Sequence, residues 1–180
     1  MKINNFIKKN INKFCFLLKK IDLKKLALIL DEIKLIKKNN KKILIFGNGG
    51  SSAIASHFAV DLTKNAGVRC LPISDVDLIT CFANDFGFEN WIKNAIKYYY
   101  NAGDLVILIS SSGCSKNMLN AADYCNKNMI RLITLTGFDK KNLLSKKGNI
   151  NFWVNSKKYN FVELAHLTSL LSIVDNFIEN

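Results

Sequence analysis

Ile43-Leu44-Ile45-Phe46-Gly47-Asn48-Gly49-Gly50-Ser51-Ser52, running into Ala53-Ile54-Ala55-Ser56-His57-Phe58, reads as a buried strand, a glycine turn and the start of a helix. That geometry gathers unpaired backbone N–H groups and the positive end of a helix dipole at one spot, which suits a phosphate. The pattern returns at Leu105-Val106-Ile107-Leu108-Ile109-Ser110-Ser111-Ser112-Gly113-Cys114-Ser115. Two strand–loop–helix anion sites point to a sugar phosphate more than to a dinucleotide. The first loop departs from the dinucleotide fingerprint, because Ser52 stands at the third glycine position.

Outward from these loops, apolar runs at 43–47, 68–73, 104–110, 131–136 and 150–154 alternate with amphipathic stretches at 51–65, 87–101, 115–127 and 139–146. A last helix is expected over about 160–178. Strands this short and apolar, separated by helices, predict a parallel sheet covered on both faces. Ligands of such sheets bind beyond the carboxyl ends of the strands, where both loops fall. Upstream, residues 3–18 and 22–39 carry apolar residues at helical spacing, with Asp22 placed to cap the second helix. Their apolar stripes are wide for so small a domain, so packing against another subunit is expected. One domain over 1–180 is the reading, with helices at 1–42 and the α/β core at 43–180.

The chain has 180 residues and a net charge of +12. Residues 1–42 hold thirteen lysines against Asp22, Asp31 and Glu32, leaving +2 for the remainder. Solvated helix faces explain that charge better than a nucleic-acid surface, so nucleic acid is not the expected partner. No uncharged run is long enough to span a bilayer, and no membrane partner is expected. Five cysteines without CxxC spacing suggest a reduced, cytoplasmic protein.

Within the serine loop, Ser110, Ser111, Ser112 and Ser115 offer four hydroxyls where capping needs one, which favours phosphate binding over capping alone. His57 and Asp61 share one helix face, as do Glu163 and His166 on the last helix. Two such pairs could form an acid/base couple or a metal site, although for either histidine alone a structural role is the plainer reading. Asn84-Asp85-Phe86-Gly87-Phe88 reads as a turn before a helix, with Asp85 either capping it or facing the ligand.

Together these residues resemble the sugar isomerase (SIS) domain family, and most closely its phosphoheptose isomerase branch. The resemblance rests on Gly47–Ser51, His57-Phe58-Ala59, Ile73-Ser74-Asp75-Val76, Asn84–Phe88, Ile109–Ser115 and Ile133-Thr134-Leu135-Thr136-Gly137, six motifs in order along the chain. It implies a three-layer sandwich with a five-stranded parallel sheet, a homotetramer built partly from the N-terminal helices, and a phosphosugar held at a subunit interface. Enzymes of this branch convert sedoheptulose 7-phosphate to D-glycero-D-manno-heptose 7-phosphate for surface polysaccharide synthesis. By resemblance, Ser110, Ser111, Ser112 and Ser115 match the phosphate loop, and Asn48, Gly49, Gly50, Ser51 and Asp85 match positions that bind substrate.

His57 matches a zinc-ligand position, with Asp61 and Glu163 as further candidate ligands; no nucleotide cofactor is implied. The family's catalytic glutamate is here Asp61, and its late histidine falls at Leu170 or Leu171. Asp61, Glu163 and His166 are therefore the candidate catalytic residues. The alternative is a non-catalytic SIS module that binds a phosphosugar or acts as a regulator, like relatives that bind the bacterial replication initiator.

Overall fold

The computed structural model describes residues 2–179. Two helices come first, α1 (Lys2–Leu18) and α2 (Leu23–Lys38). Asp22 ends the turn between them, its side chain accepting a hydrogen bond from the Lys25 N–H at 3.1 Å as the N-cap of α2.

Five strands follow: β1 (Lys42–Gly47), β2 (Arg69–Pro72), β3 (Leu105–Ser110), β4 (Arg131–Thr136) and β5 (Ile150–Trp153). They form one parallel sheet in the order β2-β1-β3-β4-β5. Helix α3 (Gly50–Ala66) joins β1 to β2, α4 (Val76–Phe86) and α5 (Trp91–Tyr99) join β2 to β3, α6 (Lys116–Lys127) joins β3 to β4, and α7 (Tyr159–Glu179) follows β5.

Alternation along each strand divides the core. Ile43, Ile45, Ile107, Ile109 and Phe152 pack with α2, α3 and α7 on one face. Leu44, Phe46, Val106 and Leu108 pack with α5 and α6 on the other. With both faces covered, neither set of alternate residues has to be polar, which is why the strands read as continuous apolar runs. Helix α7 is long and apolar enough to cross a membrane by length and composition alone. Here it packs on α3 and buries eight residues, among them Val162, His166 and Leu170. Helix α1 is held at its C-terminal end, where Phe14, Leu17 and Leu18 meet the core, while Ile3, Phe6, Ile7 and Ile11 stay exposed.

Two expectations from the sequence change. The stretch 139–146 forms a loop ending in a single 3₁₀ turn, Leu144–Lys146, rather than a helix. The Asn142 amide donates to Asp139 O at 2.7 Å and accepts from the Ser145 N–H at 2.9 Å, so a side chain takes the place of helical backbone bonds. The segment Asn84–Phe86 is not a turn before a helix but the last turn of α4, which Gly87 ends at φ 81°.

Candidate active site

The strand order reverses between β1 and β3: from β1 the chain goes to β2 on one side, and β3 continues to β4 on the other. A crevice opens at such a point because the two loops turn away from each other. Here it holds a cavity of about 320 Å³. The glycine loop after β1 gives one wall, the serine loop after β3 another, and Tyr159 and Glu163 of α7 close the third side.

On the first wall, Gly49 takes φ 53° and forms the N-cap position of α3 without a side chain to block the helix end. A Cβ on Gly50 would lie 2.4 Å from Glu163 Oε2, so the missing side chain is what lets the carboxylate sit against the start of α3. Asn48 is tied to Asn117 on α6 by two reciprocal amide bonds of 3.0 and 2.9 Å. Asn117, which is buried, also accepts from the Met118 N–H. That pair locks the two loops to one another.

On the second wall the hydroxyls are not spent on capping. Ser115 occupies the N-cap position of α6 but makes no side-chain cap bond. Ser112 Oγ accepts weakly from the Cys114 N–H at 3.3 Å, and the buried Ser111 Oγ has no partner. Backbone bonds fix the loop instead, from Gly113 N–H to Ser110 O and from Gly137 N–H to Ser111 O, both 3.0 Å. Helices α3, α6 and α7 all begin at this cavity, so the field there favours an anion. Among the lining residues Glu163 is the one carboxylate.

The remaining candidates lie elsewhere. His57 and Asp61 pair with each other, Nε2 to Oδ2 at 3.2 Å, on the outward face of α3 and outside the cavity lining. Asp85 is exposed near the end of α4, where it accepts from the Asn84 amide at 3.0 Å; it neither caps a helix nor lines the cavity. His166 is fully buried, and its Nε2–H donates to Thr136 O at 3.1 Å. Burial lowers its pKa from the ordinary 6.5 to about 4, against a smaller raising effect of the Thr136 bond. The ring is therefore neutral at pH 7, with Nδ1 left without a partner.

A zinc site assembled from His57, Asp61 and Glu163 does not fit one chain. The first two form a pair and the third faces the cavity, and among the described residues no three histidine, cysteine or acidic side chains gather. Two site residues escaped the reading of the sequence, Asn117 and Tyr159. Asn117 follows the serine loop directly, and Tyr159 lies one helical turn before Glu163, so helical spacing from Glu163 could have found the tyrosine.

Comparison with known proteins matches residues 17–137 to the SIS domain family. A phosphoheptose isomerase of Histophilus somni (strain 2336) is 39% identical over 107 residues, which cover 57% of this chain and 55% of that protein. Another, from Aromatoleum aromaticum, is 31% identical over 145 residues, covering 76% of this chain and 73% of its own length. The match thus spans just over half the length of the first relative. The solved structure of a phosphoheptose isomerase from Francisella tularensis has the same fold, with a TM-score of 0.85 at 23% identity over 99% of this chain and 97% of that one.

Proposed function

Given that the chain belongs to the SIS domain family, we propose that it is a phosphosugar isomerase interconverting sedoheptulose 7-phosphate and D-glycero-D-manno-heptose 7-phosphate. The observation that carries this reading is Glu163 facing the four-serine loop across one small cavity. The relatives named phosphoheptose isomerase supply the choice of substrate.

In this reading the phosphate is held by the hydroxyls of Ser110, Ser111, Ser112 and Ser115 and by the N-terminal ends of α3 and α6. The far end of the sugar then lies beside Glu163. Its carboxylate removes the proton from the carbon next to the carbonyl, giving an enediol, and returns it to the neighbouring carbon. A second proton moves between the two oxygens, a transfer assigned in this reading to Tyr159, which lines the cavity one helical turn before Glu163. His166 has no part in these steps, since its ring is buried away from the cavity lining. A role for Asp61 and His57 belongs to the homotetramer that the resemblance implies, in which a neighbouring chain would cover the outward face of α3. The same reading puts the protein in the cytoplasm, in the synthesis of heptose for surface polysaccharide.

The test is turnover of sedoheptulose 7-phosphate, followed by NMR of the product. Glu163→Gln should lower kcat by about 10²–10⁴-fold while phosphosugar binding survives. Full activity in Glu163→Gln would exclude this assignment. Tight phosphosugar binding by the unaltered protein without turnover would instead support a non-catalytic binding module. The burial of Leu170, which stands where the family places its late histidine in one register, favours that second reading.

A further inference from the structure

A larger cavity, of about 870 Å³, lies at the corner between α1 and α2, against the edge strand β5 and the loop that precedes it. It lies outside the isomerase site, and none of the residues assigned above lines it. Three of the N-terminal lysines, Lys13, Lys20 and Lys25, line it together with Lys140 from the β4–β5 connection. Among the described residues none of these four ammonium groups is paired with a carboxylate. Asp22 is the one carboxylate in the lining, and its Oδ1 is engaged in capping α2. Four unpaired cations around one concave space repel one another, and an anion relieves that repulsion.

The same cavity offers aromatic surface. Lys20 lies over the Phe16 ring at 4.1 Å and Lys140 over the Trp153 ring at 5.7 Å, so cations and ring faces already adjoin. The Trp153 indole N–H is shielded from solvent and has no acceptor. Asn151 accepts the Thr134 and Thr136 hydroxyls through Oδ1, which leaves its amide N–H groups without a protein partner among the described residues. A ligand that answers the lysines, the ring surfaces and the Asn151 amide carries several negative charges and a flat ring with polar edges.

We propose that this cavity binds a nucleoside triphosphate, with the phosphates among Lys13, Lys20, Lys25 and Lys140 and the base against Trp153 and Phe16. Lysines on α1, the turn after it, α2 and the β4–β5 connection act as mobile point charges, which suits a flexible polyphosphate better than a single carboxylate. Base–aromatic stacking accepts any base, so the site selects the class of ligand rather than one nucleotide. The volume lies within the range of pre-formed sites for ligands of this size. This site does not depend on the isomerase reading.

The chain has two tryptophans, and Trp91 is buried in the core and does not line this cavity. In a Trp91→Phe variant, fluorescence therefore reports Trp153 alone, and equilibrium dialysis of the unaltered protein with labelled ATP gives a second measurement. ATP, GTP and UTP should each quench Trp153 saturably. Adenosine and inorganic triphosphate should bind at least about 10-fold more weakly than ATP. The exposed double substitution Lys13→Ala/Lys140→Ala should weaken ATP binding by about 10-fold or more and leave phosphosugar binding unchanged. The proposal is overturned if no nucleotide binds in either measurement, or if triphosphate alone binds as tightly as ATP. It is equally overturned if the Trp153 signal follows protein dilution rather than nucleotide, which would mean that a second copy of the chain fills the cavity.

Discussion

His166 should act as an acid-labile support of the fold and not as a proton carrier in the reaction. Its imidazole is fully buried, with Nε2–H bonded to Thr136 O and Nδ1 facing no partner. The unfolded chain binds a proton here with a pKa near 6.5, the folded protein only at about 4. Between those values the unfolded state holds more protons, so the contribution is complete above pH 6.5 and lost as pH falls toward 4. At about 1.36 kcal/mol for each tenfold step, the whole effect is about 3 kcal/mol, of which about 2 is gone by pH 5. Urea unfolding at pH 7, 6, 5 and 4.5 should show this loss in the unaltered protein. In His166→Gln, whose side chain can still donate to Thr136 O but does not titrate, the corresponding part of the slope should vanish. NMR gives a direct check, because the chain has two histidines and the C2–H signal of His166 should not titrate above pH 5 while the protein stays folded. The isomerase activity of His166→Gln should stay within about threefold, because the ring lies outside the cavity. An unchanged pH slope in the variant, or a hundredfold loss of kcat with the fold intact, would refute the argument.

Three further outcomes follow from the same geometry. Gly50→Ala places a methyl 2.4 Å from Glu163 Oε2 and must displace the carboxylate; kcat should fall by about 10²-fold in a steady-state assay while far-UV circular dichroism is unchanged. Asn117→Ala removes both bonds to Asn48 and the bond from the Met118 N–H, and should cost about 2–4 kcal/mol by urea denaturation. Asp22→Ala removes the cap of α2 and should cost about 1 kcal/mol in the same measurement, with phosphosugar affinity unaffected.

The sheet was legible because each strand is a short apolar run with a helix-forming stretch on either side. All five runs are strands, and the two loops expected to bind an anion open at the same crevice. The helix expected at 139–146 failed for a local reason, since the Asn142 side chain takes over the bonds that helical backbone would make. The site was legible only in part. Ser110, Ser111, Ser112, Ser115 and the glycine loop lie next to their strands in sequence, so strand position alone brings them to the crevice.

Glu163 and His166 show where such reasoning stops. Three residues apart on one helix, they share a face by spacing, yet one lines the cavity and the other is sealed beneath Thr136. The sequence by itself determined the parallel sheet, the two N-terminal helices with Asp22 capping the second, and the place of the serine loop at the end of its strand, because these depend on periodicity and on neighbours along the chain. Only the tertiary structure decided which carboxylate meets the serines. That depends on how α7 packs across α3, and on the missing Cβ of Gly50 that lets Glu163 approach.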